Sequence, residues 1–193
     1  MFLYHYYEKS IGPFKALTSL PYEKARDILY AKKAQGKFGN PDIEGFLKRR
    51  YDSDRRLYDA FVLRGGKPKN TFPIYMTLGA HPQWESAYDE AAFIKIPLKE
   101  FQKDSVSFTY GDSFAIFNPR LFGEEAYWNK IYFADEIADV IDRYGFPPYV
   151  EYDFKKGIYP KDKPINHHLK YVEAHVWDDD VLKRFSAMPC TDT

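Results

Sequence analysis

The chain has 193 residues, with 28 Lys and Arg against 28 Asp and Glu, so its formal net charge is zero. A composition of 45% hydrophobic and 29% charged residues excludes wholesale disorder. No apolar stretch reaches the roughly 18 residues of a membrane-spanning helix.

Phe2-Leu3-Tyr4-His5-Tyr6-Tyr7 reads as a buried strand, ended by a turn at Gly12-Pro13. Thr18-Ser19-Leu20-Pro21 reads as a helix start, with Ser19 or Thr18 as cap and Pro21 in the first turn. That helix runs to about Ala34 with Ala25, Ile28 and Leu29 inward. A longer helix spans about Ile43 to Leu63 and stops at Gly65-Gly66. Phe46, Leu47, Tyr51, Tyr58, Phe61 and Val62 follow its period. Its other positions carry Lys48, Arg49, Arg50, Arg55, Arg56 and Arg64 with Asp52, Asp54 and Asp59 interleaved. Such a face is either salt-bridged and solvated or turned toward an anion.

Strands dominate the remainder. Pro73–Leu78, Phe93–Leu98 and Ser105–Tyr110 are three of them, the last stopping at Gly111-Asp112. Ile131 to Tyr144 reads as a helix capped by Gly145, with Ile137, Val140 and Ile141 inward. Residues 145–166 form a long Gly-, Pro- and Lys-rich connection. His168–Trp177 reads as a long strand, and Asp178-Asp179-Asp180 opens a short helix through Phe185. Helices first and strands later favour an α+β fold, formed by one domain over 1–193 with 185–193 as a tail.

Two features are hidden in the totals. The 36 aromatics outnumber the 31 Ile, Leu and Val residues, so the core is bulky and many hydroxyls need partners. The neutral charge is a cancellation: residues 1–70 carry 15 basic and 8 acidic side chains, a balance of +7 offset by the remainder. A basic first part can attract phosphates. The single cysteine, Cys190, has no partner for an internal disulfide, and no basic-then-apolar leader opens the chain. A cytoplasmic location is the expectation.

Motifs for phosphate loops, dinucleotide folds and zinc hydrolases are absent, and the five histidines are poorly spaced for a metal. Three places hold candidate chemistry. Glu173 shares one strand face with Tyr171 and His175, while Val172, Ala174 and Val176 face the core. If the first face is solvent, Glu173 is ordinary. If it lines a cleft, the carboxylate can stabilise a developing cation. His5 lies in the opening strand, where a satisfied core histidine and a ligand contact are both open readings. Ser107 and Thr109 share a face leading to the turn Gly111-Asp112-Ser113, either a ligand approach or a plain Asp-capped turn.

Taken together, these pieces resemble the ADP-ribosyltransferase-like fold, especially the DNA-targeting DarT-type toxins. The resemblance is carried by Leu3-Tyr4-His5, the following helix, the arginines of 49–64, Pro73-Ile74-Tyr75, the segment Ile94 to Ser113, and Tyr171–Asp178 with Val181-Leu182. It implies N-terminal helices packed on a strongly bent, mostly antiparallel sheet with a central cleft. It implies NAD as substrate, no metal, Glu173 as catalytic carboxylate acting through the ribose 2'-hydroxyl, and His5 on the other ribose. Arg49 or Arg56 would hold the pyrophosphate, and Tyr75 and Tyr110 would stack on nicotinamide or an acceptor base. Tyr7 stands where relatives commonly have Thr, and Ser107-Phe108-Thr109 stands for their hydroxyl signature. Tyr171, in place of an acidic or amide residue, argues against arginine as acceptor and leaves nucleic acid or other protein side chains. The alternative is a non-catalytic nucleic-acid or nucleotide-binding module using the basic helix 43–64.

Overall fold

The opening aromatic run forms strand β1, Phe2–Glu8. The computed structural model describes residues 1–118, 125–147 and 171–186. After β1, a single helical turn at Leu17–Ser19 leads into α1, Tyr22–Ala34. That turn uses both hydroxyls expected to cap α1. Ser19 Oγ donates to the Ala16 carbonyl and Thr18 Oγ1 donates to Asp54 Oδ2 at 2.5 Å. Pro21, placed inside the helix by the sequence reading, is instead the residue that enters it.

Helix α2, Ile43–Leu63, is capped by Asp42, whose Oδ1 accepts the Gly45 N–H at 2.8 Å. Ile43, Leu47, Asp54, Leu57 and Phe61 are buried on it, whereas Val62, expected inward, is 44% exposed. The inward stripe has steps of four and three residues, and Arg50 lies on it. Ala25 and Leu29 of α1 pack with Ile43 and Leu47 in a small second core. Ile28, also expected inward, is 39% exposed, because the helix rolls it toward a cavity rather than α2.

Next come β2 (Ile74–Leu78), β3 (Ala91–Pro97), β4 (Val106–Thr109) and α3 (Ser113–Ile116). They are followed by α4 (Ala134–Tyr144), β5 (Glu173–Val176) and α5 (Asp179–Ser186). Glu136 ties α4 to α2, pairing with Arg64 at 2.6 Å while accepting the Phe133 N–H. Lys69 bridges Asp178 and Asp180 at the start of α5. Most of the expected connection 145–166, the strand start at His168, and the tail beyond Ser186 with Cys190 lie outside the described residues. Among the described residues no helix is long and apolar enough to cross a membrane.

The five strands form one antiparallel sheet in the order β3-β1-β2-β5-β4, giving an α+β fold. The strand β5 is inserted between β2 and β4, and all four of its residues are buried. Val172, Ala174 and Val176 join the main core with Phe108, Ile137 and Leu182. The opposite face runs across the sheet as Tyr75–His175–Ser107 and Thr77–Glu173–Thr109. Helix α2 covers this face near Trp177, whose ring stacks on Phe61 at 5.2 Å.

The β1–β2 ladder is short. It pairs Leu3 with Leu78 and Tyr4 with Thr77, and the strands then part. Continuing that register would set His5 opposite Met76 and then pair Tyr6 with Tyr75 through backbone hydrogen bonds. Instead the Tyr75 carbonyl accepts His5 Nδ1–H at 3.0 Å, and the Tyr6 carbonyl accepts the Tyr88 hydroxyl at 3.2 Å.

Candidate functional site

A cavity of about 310 Å³ opens where β1 leaves β2. Its walls include Tyr4–Glu8 of β1, Tyr75–Thr77 of β2, and Tyr171 and Glu173. Trp84 and Tyr88 add aromatic surface, and Lys15 and Lys32 add positive charge. The lining is apolar and aromatic with a few polar groups, the usual constitution of a small-molecule site.

Glu173 is 5% exposed. Its Oε2 accepts the Ser113 N–H at 2.8 Å and hydrogen-bonds His175 Nε2 at 3.2 Å. Among the described residues Oε1 has no protein hydrogen bond. Among the described residues, one oxygen is therefore anchored and the other is left for a ligand hydroxyl. Burial pushes the carboxyl upward, but His175, Arg50 and the Ser113 N–H outweigh it and hold it below the usual carboxylate range.

Behind Tyr75 lies a buried polar cluster. Asp54 is fully buried and accepts from Thr18 and from the Tyr75 hydroxyl, with Arg50 Nε 3.6 Å away. The Arg50 guanidinium lies 4.2 Å over the Tyr75 ring. Burial alone would lower Arg50, but Tyr75, Asp54, Glu173 and Asp112 raise it, so it stays charged. The cation is thus placed to act electrostatically on both buried carboxylates.

His5 is buried, and both its ring nitrogens are engaged. Nδ1–H donates to the Tyr75 carbonyl, and Nε2 accepts the Phe14 N–H at 2.9 Å. Burial lowers it from 6.5 to about 4, partly offset by the Tyr75 carbonyl. This shift has a definite sign. As pH falls below 6.5 the unfolded chain takes up a proton at His5, and the folded chain does so only near pH 4. His5 therefore removes about 3 kcal/mol of stability between neutral pH and about pH 4. Urea unfolding followed against pH, in wild type and His5→Gln, checks this. Parallel stability curves for the two proteins would contradict it.

The structure brings Glu173, His5, Tyr7 and Tyr75 to one cavity. The remaining candidates lie elsewhere. Arg49 and Arg56 line a separate pocket of about 110 Å³ with Ser53, Phe114 and Phe117, and Arg49 also pairs with Asp42 at 3.5 Å. Ser107 is fully buried behind Glu173, between His175 and Trp177. Thr109 Oγ1 donates to the Gly111 carbonyl, as in a plain turn. The Tyr110 hydroxyl donates to the Gly145 carbonyl, and its ring packs on Tyr127 and Tyr144 in the core.

Arg50, Asp54, His175 and the Ser113 N–H were not singled out from sequence. For the first two a signal existed. Two charged residues, half-buried Arg50 and buried Asp54, occupy successive positions of the inward stripe 43, 47, 50, 54, 57, 61, where apolar residues are the rule. Comparison of the chain with protein-family models, with curated proteins and with solved structures finds no match in any of the three.

Proposed function

We propose that this chain is an ADP-ribosyltransferase-like enzyme with NAD as its substrate and a nucleic-acid or protein side-chain acceptor. The observation that carries the reading is the Glu173 carboxylate. It is fixed through one oxygen and open at the other, on the wall of an aromatic cavity set in a parted antiparallel sheet.

The chemistry suits such a group. Breaking the glycosidic bond between nicotinamide and ribose leaves the bonding pair on nicotinamide and an oxocarbenium-like cation at the ribose. A carboxylate that accepts the ribose 2'-hydroxyl stabilises this cation more than the ground state. The acceptor's nucleophile then forms the new bond at the same carbon and loses its proton. Tyr7, Trp84, Tyr88 and Tyr171 supply aromatic walls for nicotinamide. The cavity is at the lower end of ligand-pocket size, which suits one half of the dinucleotide. Lys15 and Lys32 line it and are the cations available to the pyrophosphate, in place of Arg49 and Arg56. With both nitrogens engaged, His5 contributes its ring and its hold on Tyr75 rather than a ribose hydrogen bond.

Incubating the purified protein with NAD and measuring released nicotinamide tests the reading. The assay is run alone and with single-stranded DNA, RNA or protein acceptors. Release is expected, with ADP-ribose found on the preferred acceptor by mass spectrometry. No release with any acceptor, together with no NAD binding by calorimetry, would sink it.

A further inference from the structure

Behind Glu173, on the side away from the cavity, three buried side chains form a continuous line. Trp177 Nε1 donates to Ser107 Oγ at 2.9 Å. Ser107 Oγ lies 3.2 Å from His175 Nδ1, and His175 Nε2 lies 3.2 Å from Glu173 Oε2. Ser107, His175 and Trp177 are all 0% exposed.

The direction of this line follows from what each group can do. An indole N–H only donates, so Ser107 Oγ must accept at that contact. Its own proton then has one partner among the described residues, His175 Nδ1. An imidazole that accepts at Nδ1 carries its proton at Nε2. That proton points at Glu173 Oε2. Every donor and acceptor is satisfied in this sense. The opposite sense, with a proton on Nδ1, leaves the Ser107 hydroxyl proton without an acceptor in a fully buried place, against the general rule for buried polar groups.

The ring has little freedom to turn. The Tyr75 ring from β2 meets it edge-on, with centroids 5.5 Å apart and planes at 88°. Ser107 from β4 and Trp177 beyond β5 complete its surroundings.

We propose that Trp177, Ser107 and His175 are positioning residues: a one-way hydrogen-bond line that fixes His175 as the Nε2–H tautomer and thereby aims the free oxygen of Glu173 into the cavity. The line deepens the proposed transferase reading, and its kinetic consequence rests on that reading, but the tautomer does not. A carboxylate held at one oxygen only by the Ser113 N–H could swing about that bond. The second hydrogen bond, from His175, stops the rotation. Positional error at a reacting group of about 1 Å is enough to cost about a hundredfold in rate.

Two measurements decide it. The first is nitrogen NMR of the imidazole in 15N-histidine-labelled protein, with the His175 signals assigned by their loss in His175→Gln. His175 is expected to carry its proton on Nε2, with Nδ1 an acceptor. In Ser107→Ala the Nδ1 signal moves toward that of a free acceptor nitrogen. A proton on Nδ1, in either a neutral ring or an imidazolium, overturns the proposal, and so does an unmoved Nδ1 signal in a folded Ser107→Ala. The second is nicotinamide release. His175→Leu is expected to lower kcat by up to about a hundredfold with KM for NAD little changed. His175→Gln, which keeps an N–H at the outer position, is expected to recover much of that loss. Equal kcat in wild type and a folded His175→Leu would overturn the aiming role. A wild type that turns over no NAD would sink the transferase reading, while the NMR result would still decide the tautomer line.

Discussion

Glu173→Gln is expected to lower nicotinamide release by about a thousandfold and to leave the fold in place. The substitution is nearly isosteric. The Gln side-chain oxygen still accepts the Ser113 N–H and the His175 N–H that hold Glu173. What it removes is the negative charge and the free acceptor oxygen at the cavity wall. A cation developing at the ribose loses its counter-charge, whereas NAD in its ground state loses little. The expected pattern is therefore a collapse of kcat with KM almost unchanged. Circular dichroism and the melting temperature of the variant report the intact fold. Undiminished turnover in this variant would take Glu173 out of the reaction.

Asp54→Ala is expected to destabilise the protein by about 3–5 kcal/mol. Asp54 sits at the centre of α2, where its two oxygens serve Thr18, Tyr75 and Arg50. Removing it leaves a half-buried guanidinium, its side chain 21% exposed, and two hydroxyls without their acceptor. The double variant Arg50→Met with Asp54→Leu is expected to recover part of the loss, because apolar residues fill the space without a charge to solvate. Urea unfolding at neutral pH measures both. A cost below about 1 kcal/mol for Asp54→Ala would mean that solvent reaches Arg50 more freely than its surroundings indicate.

Much of the local structure was legible because its signals are local. The aromatic run of β1, the hydrophobic period of α2 with the glycines that end it, and the alternation around Phe108 each specify an element without help from elsewhere. The capping of α1 was misread because Thr18 is recruited by Asp54, 36 residues away, a partner no local rule identifies. Glu173 was legible as a candidate but not as a buried one. Its burial depends on β5 being inserted between β2 and β4, a pairing across roughly a hundred residues in one case and nearly seventy in the other. The split of arginines between outer and inner faces was hidden in part by composition. With five basic residues on one helix, only the phase of the inward stripe separates Arg50 from Arg49 and Arg56.

The parting of β1 from β2 has one more consequence. The two carbonyls that would form the next step of the ladder, those of Tyr6 and Tyr75, are already capped by Tyr88 and His5. The sheet cannot zip further without uncapping both, so the cavity is held open by two side chains that stand in for a strand partner. A ligand entering it does not have to pry strands apart, and the free energy that such prying would consume remains available for its own contacts. The opening thus depends on two side chains, His5 and Tyr88, and changes elsewhere along its wall can retune what fits without first having to create the space.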